Sequence, residues 1–250
     1  MKAYIINLES ASERMESMKT QVERSGLRYE FIPAVDGRNI PANLLSLLKK
    51  EHSYAVTPGE VGCSLSHLAV YKALVSSNED CALVLEDDVS LPNDISVFIN
   101  ELEGKITKST PCIYLLSHVN HYNSKCIIEL SDNYSIHEVY NAAFSHAYVI
   151  NKPAAVTLLN RLFPVWCVAD QWQTFREFGF VRLRGVVPEY ISTNPEYESV
   201  TTIGNRGDII TRKEKDMAWK TIYSNRPFKV RLMKALNLLF CRPFQKIIKH

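Results

Sequence analysis

The chain has no Gly-x-x-x-x-Gly-Lys-[Ser/Thr] loop, no Gly-x-Gly-x-x-Gly after its first strand-like segment, and only nine glycines in 250 residues. If a nucleotide binds, no glycine-rich cradle holds its phosphates. None of the six cysteines forms a Cys-x-x-Cys pair, which removes zinc knuckles and thioredoxin-like redox motifs; the thiols are expected reduced and mostly buried. No window offers an uncharged apolar span of about 18 residues, and the apolar stretch near the N-terminus is too short for a signal peptide. The expectation is a cytosolic protein, at most attached to a membrane. A formal net charge of +2 argues against nucleic acid as the main partner. There is no internal repeat, low-complexity tract or clear linker.

What is present is Ala82-Leu83-Val84-Leu85-Glu86-Asp87-Asp88, an apolar run that delivers three consecutive carboxylates where a buried strand would end. Glu86 and Asp88 are two apart, so an extended backbone projects both to one face, where they can share a divalent cation. Mn²⁺ or Mg²⁺ suits such oxygens and keeps open positions for phosphates. The same residues equally suit an acidic strand end that opens the next helix, with Ser90 or Asn93 as its cap and Pro92 in its first turn.

Elements alternate through the first half. A strand over residues 3–8 precedes a capping box at Ser10-Ala11-Ser12-Glu13 and a helix that Gly26 closes. A strand over 29–35 ends at the turn dipeptide Asp36-Gly37, and a short helix fits 41–51. Thr57-Pro58-Gly59-Glu60 is a second capping box with proline at the first helical position, opening a helix to about Ser77. After the acidic strand come a helix over about 94–103 and a strand over 112–116. The second half suggests a hairpin around Asp132-Asn133, a strand over 146–150, and a helix over 153–163 capped by Asn151. A helix over 170–178 and a strand over 181–187 follow, then a polar, turn-rich stretch over 188–208 suited to closing over a substrate. Together these give an α/β fold.

The motifs become recognisable in combination. Tyr4-Ile5-Ile6-Asn7-Leu8 with Glu13-Arg14, Pro33-Ala34-Val35-Asp36-Gly37, Gly59-Glu60-Val61-Gly62-Cys63-Ser64-Leu65-Ser66-His67 and Leu85-Glu86-Asp87-Asp88 resemble, in order and spacing, glycosyltransferase family 25. That family includes bacterial lipooligosaccharide β-galactosyltransferases and collagen galactosyltransferases. The resemblance is dense over residues 3–91 and thins toward Asp170. It implies a GT-A type, Rossmann-like, mostly parallel sheet with helices on both faces and antiparallel additions in the second half. It also implies a UDP-sugar donor such as UDP-galactose, and inversion at the anomeric carbon.

Roles follow for individual residues. Asp88 is the first choice as ligand to Mn²⁺ (or Mg²⁺) and Glu86 the second, with Asp87 on ribose or donor sugar. Inversion in one displacement needs a base on the face opposite the leaving group; Asp170 is the candidate, with Glu189 and Asp208 in reserve. An ordinary helix N-cap is the plain alternative for Asp170. Trp166 and Trp172 beside it are candidates for stacking on sugar rings. Asn7 and Arg14 suit the nucleotide, though Arg14 equally suits an ion pair with a neighbouring acid. Asp36 is assigned to uridine or ribose, or simply to its turn. Glu60, Ser66 and His67 lie on a helix facing the ligand edge; His67 and His146 each suit orienting a carboxylate or touching the donor, and equally suit a satisfied buried histidine.

The expected organisation is a catalytic domain over 1–210 and a basic amphipathic helical segment over 211–250. No acidic residue follows Asp216, while Lys220, Arg226, Lys229, Arg231, Lys234, Arg242, Lys246 and Lys249 alternate with Leu232, Leu236, Leu239, Phe240 and Phe244. Such a segment fits an anionic membrane surface as well as a solvated helix with one packed face. The function expected is a metal-dependent β-1,4-galactosyltransferase extending lipooligosaccharide, peripheral at the cytosolic face of the inner membrane. A sugar nucleotidyltransferase and a non-catalytic scaffold in surface-polysaccharide assembly are the rivals.

Overall fold

In a computed structural model, which describes residues 1–197 and 209–249, the first half alternates as its capping signals require. It contains β1 (Lys2–Asn7), α1 (Ser12–Ser25), β2 (Tyr29–Pro33), α2 (Ala42–Leu48), α3 (Pro58–Ser76), β3 (Cys81–Glu86), β4 (Val89–Ser90), α4 (Ile95–Lys105) and β5 (Cys112–Leu115). The second half adds β6 (His121–Glu129), β7 (Ser135–Asn141), β8 (Ala147–Asn151), α5 (Lys152–Leu162), α6 (Trp172–Glu177), β9 (Arg182–Val187) and β10 (Ser192–Thr193). It closes with α7 (Ile209–Ser224), α8 (Phe228–Leu236) and β11 (Ile247–Lys249).

Local chemistry explains most boundaries. Gly26, at φ +71°, closes α1 in the left-handed conformation that glycine adopts without strain. Thr57 and Glu60 form the expected reciprocal capping box at α3, and the Asn151 side chain accepts from the Ala154 N–H to cap α5. The first capping box does not form: α1 starts after Ala11 with no side-chain cap bond. Asp132 and Asn133 both take positive φ, the geometry of a tight hairpin turn, and join β6 to β7.

Nine strands form one sheet in the order β11-β6-β7-β9-β5-β8-β3-β1-β2. β1 pairs in parallel with β2 and β3, and β5 with β9, whereas β8 lies antiparallel between β3 and β5. Strands β1, β2, β3, β5, β6 and β9 therefore point one way, and β7, β8 and β11 the other. β4 and β10 make a separate two-stranded ribbon beside the cleft described below. Apolar layers cover both faces of the large sheet. One holds Tyr71 and Leu74 of α3, Leu158 of α5 and Phe175 of α6; the other holds Met18 and Val22 of α1 and Phe98 and Leu102 of α4. This is the expected α/β architecture.

The C-terminal segment is tied into this body. Lys215 of α7 pairs with the buried Glu60 carboxylate, Trp219 packs on Tyr54 with ring centroids 5.3 Å apart, and Lys234 of α8 reaches Glu177 at 2.8 Å. β11 then pairs with β6, so a stretch expected to be helical throughout ends as an edge strand of the main sheet.

Candidate active site

Ligands of open α/β sheets collect beyond the carboxyl ends of the parallel strands. Here the carboxyl ends of β1, β2, β3, β5 and β9 meet the amino end of the reversed β8, and a cleft of about 1240 Å³ opens at that edge. Side-chain alternation along β3 then distributes the acidic triplet. Val84 faces the layer under α3 and Leu85 the layer under α1. Glu86 continues toward α3, placing Oε1 3.4 Å from His67 Nε2, and Asp87 turns toward α1, where Arg14 Nη1 lies 3.2 Å away.

Glu86, Asp88 and His146 converge, with one ligand atom from each within 4.8 Å of the others. His146 Nδ1 lies 3.1 Å from Asp88 Oδ1 and 3.8 Å from Glu86 Oε2. The Ser145 hydroxyl donates to Glu86 Oε1 at 2.5 Å. Burial pushes the Glu86 carboxyl up, but His67, His146 and Ser145 together outweigh it and hold the group below the usual carboxylate range. Burial pushes the His146 imidazole down, but its bond to Asp88 and the charges of Glu86, Asp88 and Asp170 prevail and raise it. Both shifts report one fact: this corner attracts positive charge. Two carboxylates and an imidazole are the donor types a divalent cation takes, so the residues fit the expected metal. His146 is the third donor of the cluster, a position that the sequence alone assigns to no residue.

Around this seam the expected residues fall into two groups. Asn7 Nδ2 donates to Asp87 Oδ2 at 2.7 Å and to the Ala11 carbonyl at 3.2 Å, while Arg14 pairs with Asp87 and lies over the Tyr197 ring at 4.9 Å. Burial raises the Asp87 carboxyl, against the bonds from Asn7 and Arg14. Asp36 caps its own turn through the Arg38 N–H and grips the Arg38 guanidinium, whose hydrogen bond holds its carboxyl below the usual value. Ser66 accepts from the Val35 N–H and donates to the Gly62 carbonyl, each at 2.8 Å. Glu60 accepts from the Val56 and Thr57 N–H groups and pairs with Lys215. Asp36, Glu60 and Ser66, assigned to the donor from sequence, thus line the cleft while their polar atoms serve the fold. The Tyr148 hydroxyl donates to Tyr71 at 3.1 Å and accordingly accepts from His67 Nδ1 at 2.8 Å.

Asp170 lines the cleft beside the metal corner, and the helix-cap alternative fails. α6 begins after Gln171 without a side-chain cap bond, and among the described residues the Asp170 carboxylate makes no hydrogen bond. Glu189 sits at the rim with His118 3.8 Å away, and Asp208 lies outside the described residues. The proposed stacking tryptophans are core residues instead: Trp166 is 7% exposed, and Trp172, at 0%, donates its indole N–H to the Phe144 carbonyl at 2.7 Å. The described aromatics that line the cleft are Tyr197, under Arg14, and Phe144, which no sequence motif singles out.

Comparison with known proteins identifies the family. Residues 1–172 match the family described as Glycosyltransferase family 25 (LPS biosynthesis protein). A "Glycosyltransferase 25 family member" of Aedes aegypti is 38% identical over 95 residues, covering 34% of this chain and 16% of that protein. "Procollagen galactosyltransferase 2" of Homo sapiens is 27% identical over 115 residues, covering 42% of this chain and 18% of that protein. The chain thus spans under a fifth of the length of these relatives. Among solved structures, a putative glucose-1-phosphate thymidylyltransferase from Bacillus anthracis gives a TM-score of 0.41 at 10% identity, over 87% of this chain and 95% of that one. That likeness is too loose to bear on fold or activity. With the family matched over most of its length and the acidic motif lodged in the cleft, the chain belongs to glycosyltransferase family 25.

Proposed function

We propose that the protein is an inverting, metal-dependent galactosyltransferase that moves galactose from UDP-galactose to the terminal sugar of a lipooligosaccharide, forming a β-1,4 linkage. The observation that carries this reading is the convergence of Glu86, Asp88 and His146 in one open cleft that Asp170 also lines. Galactose is the sugar named for the procollagen relatives, and lipopolysaccharide synthesis is the process named for the family. Glu86, Asp88 and His146 would hold Mn²⁺ or Mg²⁺; the imidazole favours Mn²⁺, because Mg²⁺ prefers oxygen throughout. When bound, the cation offsets the negative charge of the diphosphate and of the departing UDP. Asp170 takes the proton of the attacking acceptor hydroxyl, and Arg14 and Asn7 fix Asp87 at the nucleotide side.

The test is titration of UDP-galactose, UDP-glucose and UDP-N-acetylglucosamine, with Mn²⁺ and with EDTA, into wild type and Asp88→Ala. Binding of UDP-galactose that needs both metal and Asp88, followed by transfer with inversion seen by NMR, supports the reading. Binding of no donor overturns it, and exchange with pyrophosphate moves the protein to sugar nucleotidyl transfer.

The same reading places the enzyme at the cytosolic membrane face. Support comes from α8 and the residues after it, where Phe228, Leu232, Met233, Leu239, Phe240 and Phe244 are exposed among the exposed Lys229, Arg231, Arg242 and Lys246. No helix of the described residues is long and apolar enough to cross a membrane. Interfacial residence by apolar side chains and anionic-lipid contacts remains open to such a surface. Flotation with anionic vesicles, lost at high salt and on Phe240→Ser with Phe244→Ser, is the expected outcome; flotation equal with neutral vesicles would remove the electrostatic part.

A further inference from the structure

Phe144 combines three properties that a packed protein ordinarily avoids in one residue. Its ring is 53% exposed, its φ is +71°, and it lines the cleft rather than the outer surface. A bulky side chain in the left-handed region is a true outlier, and the surroundings must impose it. They do so on both sides. The buried Trp172 donates its indole N–H to the Phe144 carbonyl, while the next two residues, Ser145 and His146, are bound to Glu86 and Asp88. The ring is thereby held 5.1 Å from the His146 ring and tilted by 36° to it. Glycine or asparagine would satisfy this backbone at no cost, and a polar residue would suit the exposure. The fold therefore gains nothing from an aromatic here.

Position supplies the occupant. The nucleotide wall of the cleft is built from the ends of β1 and β2 and the start of α1. Phe144 stands across the carboxylates from it, on the side of Asp170, His118 and Glu189. An acceptor hydroxyl has to approach from that side to reach Asp170. A pyranose ring carries a face of C–H groups that packs on an aromatic face, while its hydroxyls stay at the edge for polar partners. We infer that Phe144 is the platform on which the terminal pyranose of the acceptor lies. This deepens the galactosyltransferase reading and rests on it for the identity of the acceptor.

The experiment compares Phe144→Gly, Phe144→Ala and Phe144→Tyr in the full chain. It measures KM for acceptor and donor, the thermal midpoint, and binding of a short soluble oligosaccharide by saturation-transfer NMR. Loss of the ring is expected to raise the acceptor KM by about tenfold, with the donor KM moving far less and Tyr restoring the wild-type value. Phe144→Gly is expected to keep or raise the thermal midpoint, since glycine takes the backbone angle freely. That outcome separates the platform from a structural role. An unchanged acceptor KM in Phe144→Gly overturns the proposal, as does a rise confined to the donor KM, which would give the ring to the donor hexose. The functional reading fails separately. If wild type turns over no UDP-sugar but oligosaccharide binding still disappears in Phe144→Gly, the platform stands without that activity. An oligosaccharide that binds wild type and Phe144→Gly equally, or neither, removes the platform.

Discussion

The two walls of the cleft are made differently. On the nucleotide wall, Asn7, Asp36, Glu60 and Ser66 are each committed to a bond within the protein, and consecutive βα units supply all four. On the facing wall, Phe144, Asp170 and Glu189 come from separate stretches of chain; among the described residues the Asp170 carboxylate makes no hydrogen bond, and Phe144 is 53% exposed. One wall is a braced scaffold whose polar groups set the shape of a turn or a helix start. The other presents side chains that open onto the cleft. Density of motif therefore marks where the backbone must be held, and of its residues Glu86 and Asp88 belong to the donor cluster with His146.

Substitutions distinguish the walls, and the largest effect belongs to the seam. Asp88→Ala should lower turnover by about a thousandfold, because a metal corner supplies several kcal/mol of charge stabilisation; Mn²⁺ titration should show the matching loss of cation affinity. Asp170→Asn should lower turnover by about a hundredfold with donor binding and thermal midpoint unchanged. A large drop in its melting temperature would break the contrast by making Asp170 a fold residue. On the braced wall the reverse is expected. A Cβ on Gly62 would meet the Val35 carbonyl oxygen at 2.3 Å, so Gly62→Ala should cost about 1–3 kcal/mol in denaturant unfolding, with turnover of the folded fraction largely kept.

The smallest effect lies far from both walls, at Glu177. Burial pushes its carboxyl up, but the bonds from Lys234 and Gln173 prevail and hold it below its ordinary value of 4.5. A carboxyl depressed by folding adds stability above its unfolded pKa, and that stability is lost as pH falls through the folded value. Docking of α8 should accordingly weaken below about pH 4.5. Glu177→Gln should remove about 1 kcal/mol of stability at neutral pH and flatten the acid limb of the stability curve.

The contrast also explains what the sequence disclosed. The strand ends, the Thr57 capping box and the Glu86–Asp88 spacing are local, so residue order alone places them on one edge of a sheet. The Ser10–Glu13 box misled because chain entry from β1 puts Ala11, not a hydroxyl side chain, at the helix start. His146 and Phe144 stayed hidden for a different reason. A histidine ahead of Ala147-Tyr148-Val149-Ile150 is visible, but nothing local says that this strand runs backwards between β3 and β5, which is what brings Glu86 N to the His146 carbonyl at 2.8 Å. Trp166 and Trp172 misled in the opposite sense: their neighbourhood was right, and packing against Tyr148 and Phe178 turned their rings inward.

That reversed strand also orders events in time. β5 is complete some thirty residues before the chain reaches β8, and β3 earlier still, yet within the sheet they are joined through β8, so the middle of the sheet stays unpaired until residues 147–151 slot in. Closure of this gap is a non-local step, the kind that is slow in folding. The same closure brings His146 to Glu86 and Asp88. A cation held by these three residues would report that closure: a nascent or partly unfolded chain carries the acidic pair without His146, and tight binding would first appear once residues 147–151 lie between β3 and β5.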